Sequence, residues 1–296
     1  MKNAVYSIYD ITKCDYGFPY SKLISWFTKD DISRYCINFR QQCSKITKDW
    51  DKTKNAEWSA RHYLSIKMIL SASVMVSSAA FSKEKNIRIT EPYLYYYSIL
   101  SCCRSLIFTL PRIEWESAKI LGMKHQKILN ISIDTIKTIS KKREKYIKEF
   151  FDYTKSMREL FSYKFPALGL NALNKSKDYE IDTIIEICTL ICEVAQLHSE
   201  LMQASITKNA NDNIELEEAD LKCCFEYDVS GHTYIDQDDW YRINYMMRKM
   251  KKPLNLHWMM TEGLVEDFFG AWIPENNNDN NLYDPDKYWS MIFPAP

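Results

Sequence analysis

The sequence predicts a mainly α-helical protein: an antiparallel helical bundle with a small C-terminal α+β segment. Three observations predict it. Only six glycines occur in 296 residues and turn dipeptides are few, which favours long helices over a many-stranded sheet. Four stretches between residues 57 and 206 carry apolar residues at helical spacing, enough to close a bundle. Near residue 225, β-forming residues cluster on both sides of a Ser-Gly pair, the pattern of one hairpin.

Residues 1–56 are Tyr- and Lys-rich and irregular, and are expected to wrap the bundle as an accessory arm, with one helix at 20–27 and another before Trp50. Residues 57–206 form the bundle. It opens from Trp58 with ARHYLSIKMILSASVMVSSAAFSKEKN, where Leu64, Met68, Ile69, Met75, Val76 and Ala79 mark a helical face and small Ala and Ser permit close packing. The longest apolar run, 68–81, has 14 residues and four serines, short of the roughly 20 that a membrane span needs. It reads as a buried helix, with no membrane contact expected.

Glu91-Pro92 opens the second helix, YLYYYSILSCCRSLIFTL, with Pro at a favourable first-turn position and Pro111 beyond its end. It is apolar nearly all round and should lie centrally. Residues 132–168, which contain KKREKYIKEFFDYTKSMRELFSY, read as one long surface helix with an aromatic face. The loop GLNALNKSKD leads to the fourth helix, 179–205, whose apolar face runs from Ile184 to Leu197.

Residues 207–296 form the acidic α+β segment. Its start, KNANDNIELEEAD, reads as a linker, and NNNDNN as a turn. The stretch CCFEYDVSGHTYIDQDD resembles a calcium loop at first sight. With Gly231 at the sixth position, Glu226, Asp228 and Ser230 fall on ligand positions, but the twelfth is Gln237, so the bidentate acid is missing. A hairpin turning at Ser230-Gly231 explains more of the residues, with Asp236 or Asp238 capping a helix that starts near Asp239. TEGLVEDFFGAW reads as an amphipathic helix ending at Gly270, with Phe268, Phe269 and Trp272 at its exit. These three are either the core contact of the tail or, if exposed, a docking patch for a protein partner or a second copy.

The formal net charge is zero but unevenly placed. Residues 1–206 hold 31 Lys+Arg against 22 Asp+Glu, net +9, and the remainder holds 8 against 17, net −9. Two mutually attracting parts of one molecule are expected, or else one part that faces an anionic partner. Nine cysteines, an odd number without regular spacing, indicate reduced thiols and a cytoplasmic setting. Cys188 and Cys192 share a helix face, but His198 lies about 600° further round, so no metal site is expected. No HExxH, glycine-rich phosphate loop or GxSxG occurs, and no cofactor is expected.

Two features bear on nucleic acid. Lys141, Lys142, Arg143, Lys145 and Lys148 alternate with Tyr146, Phe150, Phe151 and Tyr153, which could hold phosphates and stack bases. A solvated face with its aromatics turned into the core accounts for the same pattern. His125, in GMKHQK, stands amid cations where it could contact an anion.

The order of small-residue helix, YLYYYSILSCCRSLIF, GMKHQK, RELFSY and a final apolar helix, over residues 57–205, resembles HEPN-like helical domains, and the Tyr-rich run followed by Pro and His more loosely resembles the prokaryotic YaaC-like proteins. The HEPN resemblance implies metal-independent RNA cleavage by an Arg followed four to six residues later by His. No arginine here has a histidine at that distance. The expectation is therefore a non-catalytic interaction or scaffold protein, linked by the resemblance to prokaryotic defence or toxin–antitoxin systems. The alternative is RNA binding or an atypical RNase built on His125 with Arg143 or Arg158.

Overall fold

A computed structural model of the chain describes residues 6–116, 118–173, 179–210, 214–260, 263–273 and 282–294. The NNNDNN turn, part of the GLNALNKSKD loop and of the KNANDNIELEEAD linker, and the first two residues of TEGLVEDFFGAW lie outside the described residues. Three helices precede the bundle: α1 (Ile8–Thr12), α2 (Ser21–Trp26) and α3 (Lys29–Thr47). The bundle follows as α4 (Lys52–Glu84), α5 (Glu91–Phe108), α6 (His125–Ile139), α7 (Lys141–Glu159), the short α8 (Leu170–Leu173) and α9 (Ile181–Asn209). Mainly helical architecture with one small two-stranded sheet among the described residues is thus what the chain adopts.

α4 begins ahead of Trp58 because the Asp51 carboxylate accepts the Lys54 N–H and caps the helix there. By length and composition α4 could cross a membrane, yet 56% of its most apolar window is buried inside the fold. Ile66, Ile69, Ala72 and Val76 of α4 are buried, and the helix packs along α5 and α9 as a core element. α3 presents Ile32, Tyr35, Cys36, Phe39 and Cys43, at three- and four-residue steps, to α9. The helix expected before Trp50 is therefore a bundle-packing element.

The single long helix expected over 132–168 is corrected. Ser140 leaves the helical region (φ −147°, ψ 112°), ending α6 at Ile139 just before α7 begins at Lys141. The break lets α6 and α7 pack on α5 separately, burying Ile133 and Ile136 from one and Ile147, Phe150 and Phe151 from the other. α7 then ends in a π-helical turn, Leu160–Lys164, closed by Phe165 at φ 42°.

In the C-terminal segment, β1 (Glu226–Val229) pairs antiparallel with β2 (His232–Ile235), Val229 opposite His232. Ser230 and Gly231 both adopt positive φ (55° and 82°), the two-residue turn that matches strand twist, and Asp228 accepts the Gly231 N–H. Of the two acids expected as caps, Asp236 is the one that serves, accepting from the N–H groups of Asp238 and Asp239 at the start of α10 (Gln237–Lys249). α11 (Leu256–Met259) and α12 (Leu264–Gly270) follow. One apolar core runs through all three segments, from Tyr6 to Phe293.

The opposite charges of body and tail meet. Lys52 of α4 pairs with Glu217 and Asp220 at 2.5 and 3.3 Å, and Lys67 of α4 pairs with Asp239. Asp239 also accepts the Tyr63 and Tyr227 hydroxyls at 2.7 Å, so this ion pair is embedded in a network.

Candidate functional site

α5 carries one basic residue in its inner stretch, Arg104. It stands seven residues after Tyr97, so both project from one helix face. α6 starts at His125, and no side chain caps its first turn. Such an uncapped N-terminus directs partial positive charge outward. α7 brings Arg158 to the same place.

These residues converge on Tyr96. Its hydroxyl lies 3.3 Å from His125 Nδ1, and the Arg158 guanidinium stacks over its ring, 5.0 Å from the centroid. The Tyr97 ring meets the His125 imidazole edge-on at 6.0 Å. Both Arg104 Nε and Arg158 Nε are buried with no hydrogen-bond partner among the described residues. Among those residues, the carboxylate beside Arg158 is Glu159, 3.6 Å away and 42% exposed. Burial first, then the charges of Arg104 and Arg158, hold the His125 pKa below its ordinary value. The imidazole is therefore neutral near pH 7, beside two cations in positive excess.

Such a set can hold an anion. Guanidiniums offer planar forks to phosphate oxygens, and the helix N-terminus adds backbone dipoles. Next to them stand aromatic rings open to solvent: Tyr97 is 38% exposed, and Tyr163, set against Arg158 by the π-helical turn, is 77% exposed.

His125 and Arg158 are thus brought together, whereas Arg143 is placed elsewhere. Arg143 Nε donates to the Trp26 carbonyl at 2.9 Å and its guanidinium stacks on the Trp26 ring. Lys141, Lys142, Lys145 and Lys148 lie along α7, with Lys145 3.8 Å from Glu149. Phe150 and Phe151 turn into the core, and Tyr146 lies on Trp26 and Phe150, so that face offers charge without a row of open rings. Phe269 is fully buried, Phe268 packs beside it, and Trp272 is 59% exposed. Phe268 and Trp272 line a cavity of about 210 Å³ together with Tyr63, Lys67, Asp239 and Arg242. Among the described residues no group of three His, Cys, Asp or Glu side chains is placed to hold a metal ion.

Sequence reasoning missed Arg104, Tyr96 and Tyr97. The available signal was an arginine inside a helix otherwise apolar nearly all round, which demands a polar outlet on one side. Comparisons of the chain with family models, curated proteins and solved structures find no match.

Proposed function

We propose that this chain is a cytoplasmic helical-bundle interaction protein of HEPN-like type, whose Arg104–His125–Arg158 cluster binds the phosphate backbone of single-stranded RNA. The observation that carries the reading is a pair of partly buried guanidiniums with unpartnered Nε atoms, facing an uncapped helix N-terminus. An anion supplies the missing acceptors. The exposed rings of Tyr97 and Tyr163 favour unpaired nucleotides over an isolated phosphate, because bases stack on open aromatics. The resemblance of residues 57–205 extends the reading to prokaryotic defence or toxin–antitoxin systems, an analogy of fold.

Fluorescence anisotropy with a labelled single-stranded RNA tests it. Binding is expected at low salt, and Arg104→Ala should flatten the salt dependence by about 0.7 in the log–log slope, the contribution of one phosphate contact on a single strand. Because a bound anion favours the imidazolium, affinity should rise as pH falls from 7 to 6, and His125→Ala should remove that rise. No binding at low salt overturns the proposal.

A second reading rests on the neutral imidazole beside two guanidiniums: a base next to groups that stabilise phosphate charge is also the makings of metal-independent RNA cleavage. Incubation of RNA with the protein in EDTA separates the two. Intact RNA supports binding alone, and degradation that His125→Ala abolishes supports cleavage.

A further inference from the structure

A second site lies away from the arginine cluster, where the segment before α2 crosses α9. It is a cavity of about 200 Å³ lined by Asp15, Tyr16, Phe18, Tyr20 and Glu200. Glu200 is buried at 1% exposure, and one carboxyl oxygen accepts the Gln196 amide at 3.0 Å. No Lys or Arg is within ion-pair distance of it among the described residues. Arg40, on the same side of the fold, donates to the Thr12 carbonyl and does not line the cavity. Tyr20 is 4% exposed, and its hydroxyl approaches Glu200 without closing a hydrogen bond of ordinary geometry.

A buried carboxyl without a cation, beside a buried hydroxyl that closes no hydrogen bond of ordinary geometry, both bordering empty space, marks a site lacking its complement. The rest of the lining says what that complement is. Tyr16, Phe18 and Tyr20 contribute aromatic rings, and Asp15 adds a second carboxylate at the exposed rim. Aromatic rings with one or two carboxylates suit an ammonium group. A hard divalent ion would demand six or more oxygen ligands, which this lining does not supply.

We propose that this cavity binds a primary alkylammonium ion, with its charged end at Glu200 and Tyr20 and its alkyl stem against the rings of Tyr16 and Phe18. The volume suits a small amine of a few carbons. The proposal is independent of RNA binding.

Its pH dependence follows from Glu200, whose carboxyl burial raises to about 7. The charged and titratable groups around it are Cys14, Asp15, Tyr16 and Tyr20 from the N-terminal segment, Cys36 and Arg40 from α3, Glu193 on α9 and His257 on α11. Burial raises both thiols and both phenols and lowers His257, all away from the interval between pH 6 and 8. Glu193, which burial also raises, is turned to the Ser21, Lys22 and Leu23 donors and does not line the cavity, so the change at the cavity itself is the negative charge that Glu200 gains. Amine affinity should rise over that interval.

Calorimetry and thermal shift with n-butylammonium chloride, against sodium chloride at equal ionic strength, test the proposal on the full chain. The expected result is saturable binding that is several-fold tighter at pH 8 than at pH 6. Glu200→Gln should abolish it, and Asp15→Asn, at an exposed position that leaves the fold alone, should weaken it several-fold. Absence of saturable binding at pH 8, pH-independent affinity, or wild-type affinity in Glu200→Gln would overturn it.

Discussion

Two buried groups give the stability of this chain opposing pH dependences. Glu200 titrates near 7 when folded and in the ordinary carboxylate range when unfolded, so between those values the folded state holds more protons. Its contribution falls as pH rises through that window and is least favourable above 7, by at most about 3 kcal/mol. Glu200→Gln should therefore stabilise the amine-free protein by about 2 kcal/mol at pH 8 and by far less at pH 4.5. His62 acts the other way. Fully buried, with Nδ1 2.7 Å from the Leu254 carbonyl, its pKa is pushed down to about 4. It stays neutral in the fold while the unfolded chain protonates below about 6.5, so its contribution is full above that value and is lost as pH falls toward 4. His198, held by Tyr35 and Thr109 and stacked on Phe39, shifts in the same direction. Urea denaturation at pH 5 and pH 8 should show Glu200→Gln losing more stability on acidification than the parent chain. Equal losses would mean that Glu200 does not titrate in this window. Neither behaviour is legible in the sequence, because a helical pattern tells which face is inside but not which polar residue on that face lacks a counter-charge.

Among the elements, α2 shows why a short helix can persist without a cap of its own. Tyr20 at its N-cap makes no side-chain hydrogen bond to the helix, and a six-residue helix is too short to stand alone. Glu193 of α9 replaces the cap, accepting the Leu23 and Lys22 N–H groups at 2.6 and 3.1 Å and the Ser21 hydroxyl at 3.2 Å. Glu193→Ala should cost about 2 kcal/mol and open the chain to trypsin at Lys22 first, read by limited proteolysis. An unchanged digestion pattern would show that packing alone holds α2. The sequence could suggest a helix at 20–27 from its apolar residues, but the partner that caps it lies 170 positions away from Leu23 and leaves no local mark. The same contrast separates the hairpin from α6 and α7. Ser230-Gly231 and Asp236 are local signals and were legible. Ser140 interrupts a periodicity that continues across it, so the break follows from packing on α5. Arg158 and His125 could be named as site residues, whereas Arg104 and Tyr96 became visible only once α5 packed against both α6 and α7.

Across the whole molecule, the charge division into a basic body and an acidic tail was readable, and its pairs meet at Lys52 and Lys67 of α4. Exposed pairs such as Lys52–Glu217 contribute little, so charge alone does not hold the tail in place. A buried polar seam does more. Gln196, Ser199 and Gln203 project from one side of α9, and all are largely buried. Asn255 gives its N–H and amide to Gln203 at 2.7 and 2.8 Å and accepts the Gln196 amide at 2.9 Å. The Leu256 N–H donates to the Ser199 hydroxyl, and the His257 N–H donates to the Gln196 side-chain carbonyl. Asn55 reaches the Lys251 carbonyl and His62 the Leu254 carbonyl from α4. Removing the tail would exchange these hydrogen bonds for bonds to water, each losing about 1 kcal/mol net, and would open to solvent the apolar surface that Leu256, Phe269 and Phe293 cover, at about 2 kcal/mol per side chain. Together that is comparable to the net stability of an ordinary domain, about 5 to 15 kcal/mol. A chain ending at Ala210 should therefore fail to unfold cooperatively and should bind a hydrophobic dye, even though it retains every bundle helix. Cooperative thermal unfolding of that truncation, near the temperature of the full chain, would show that the tail is an independent addition.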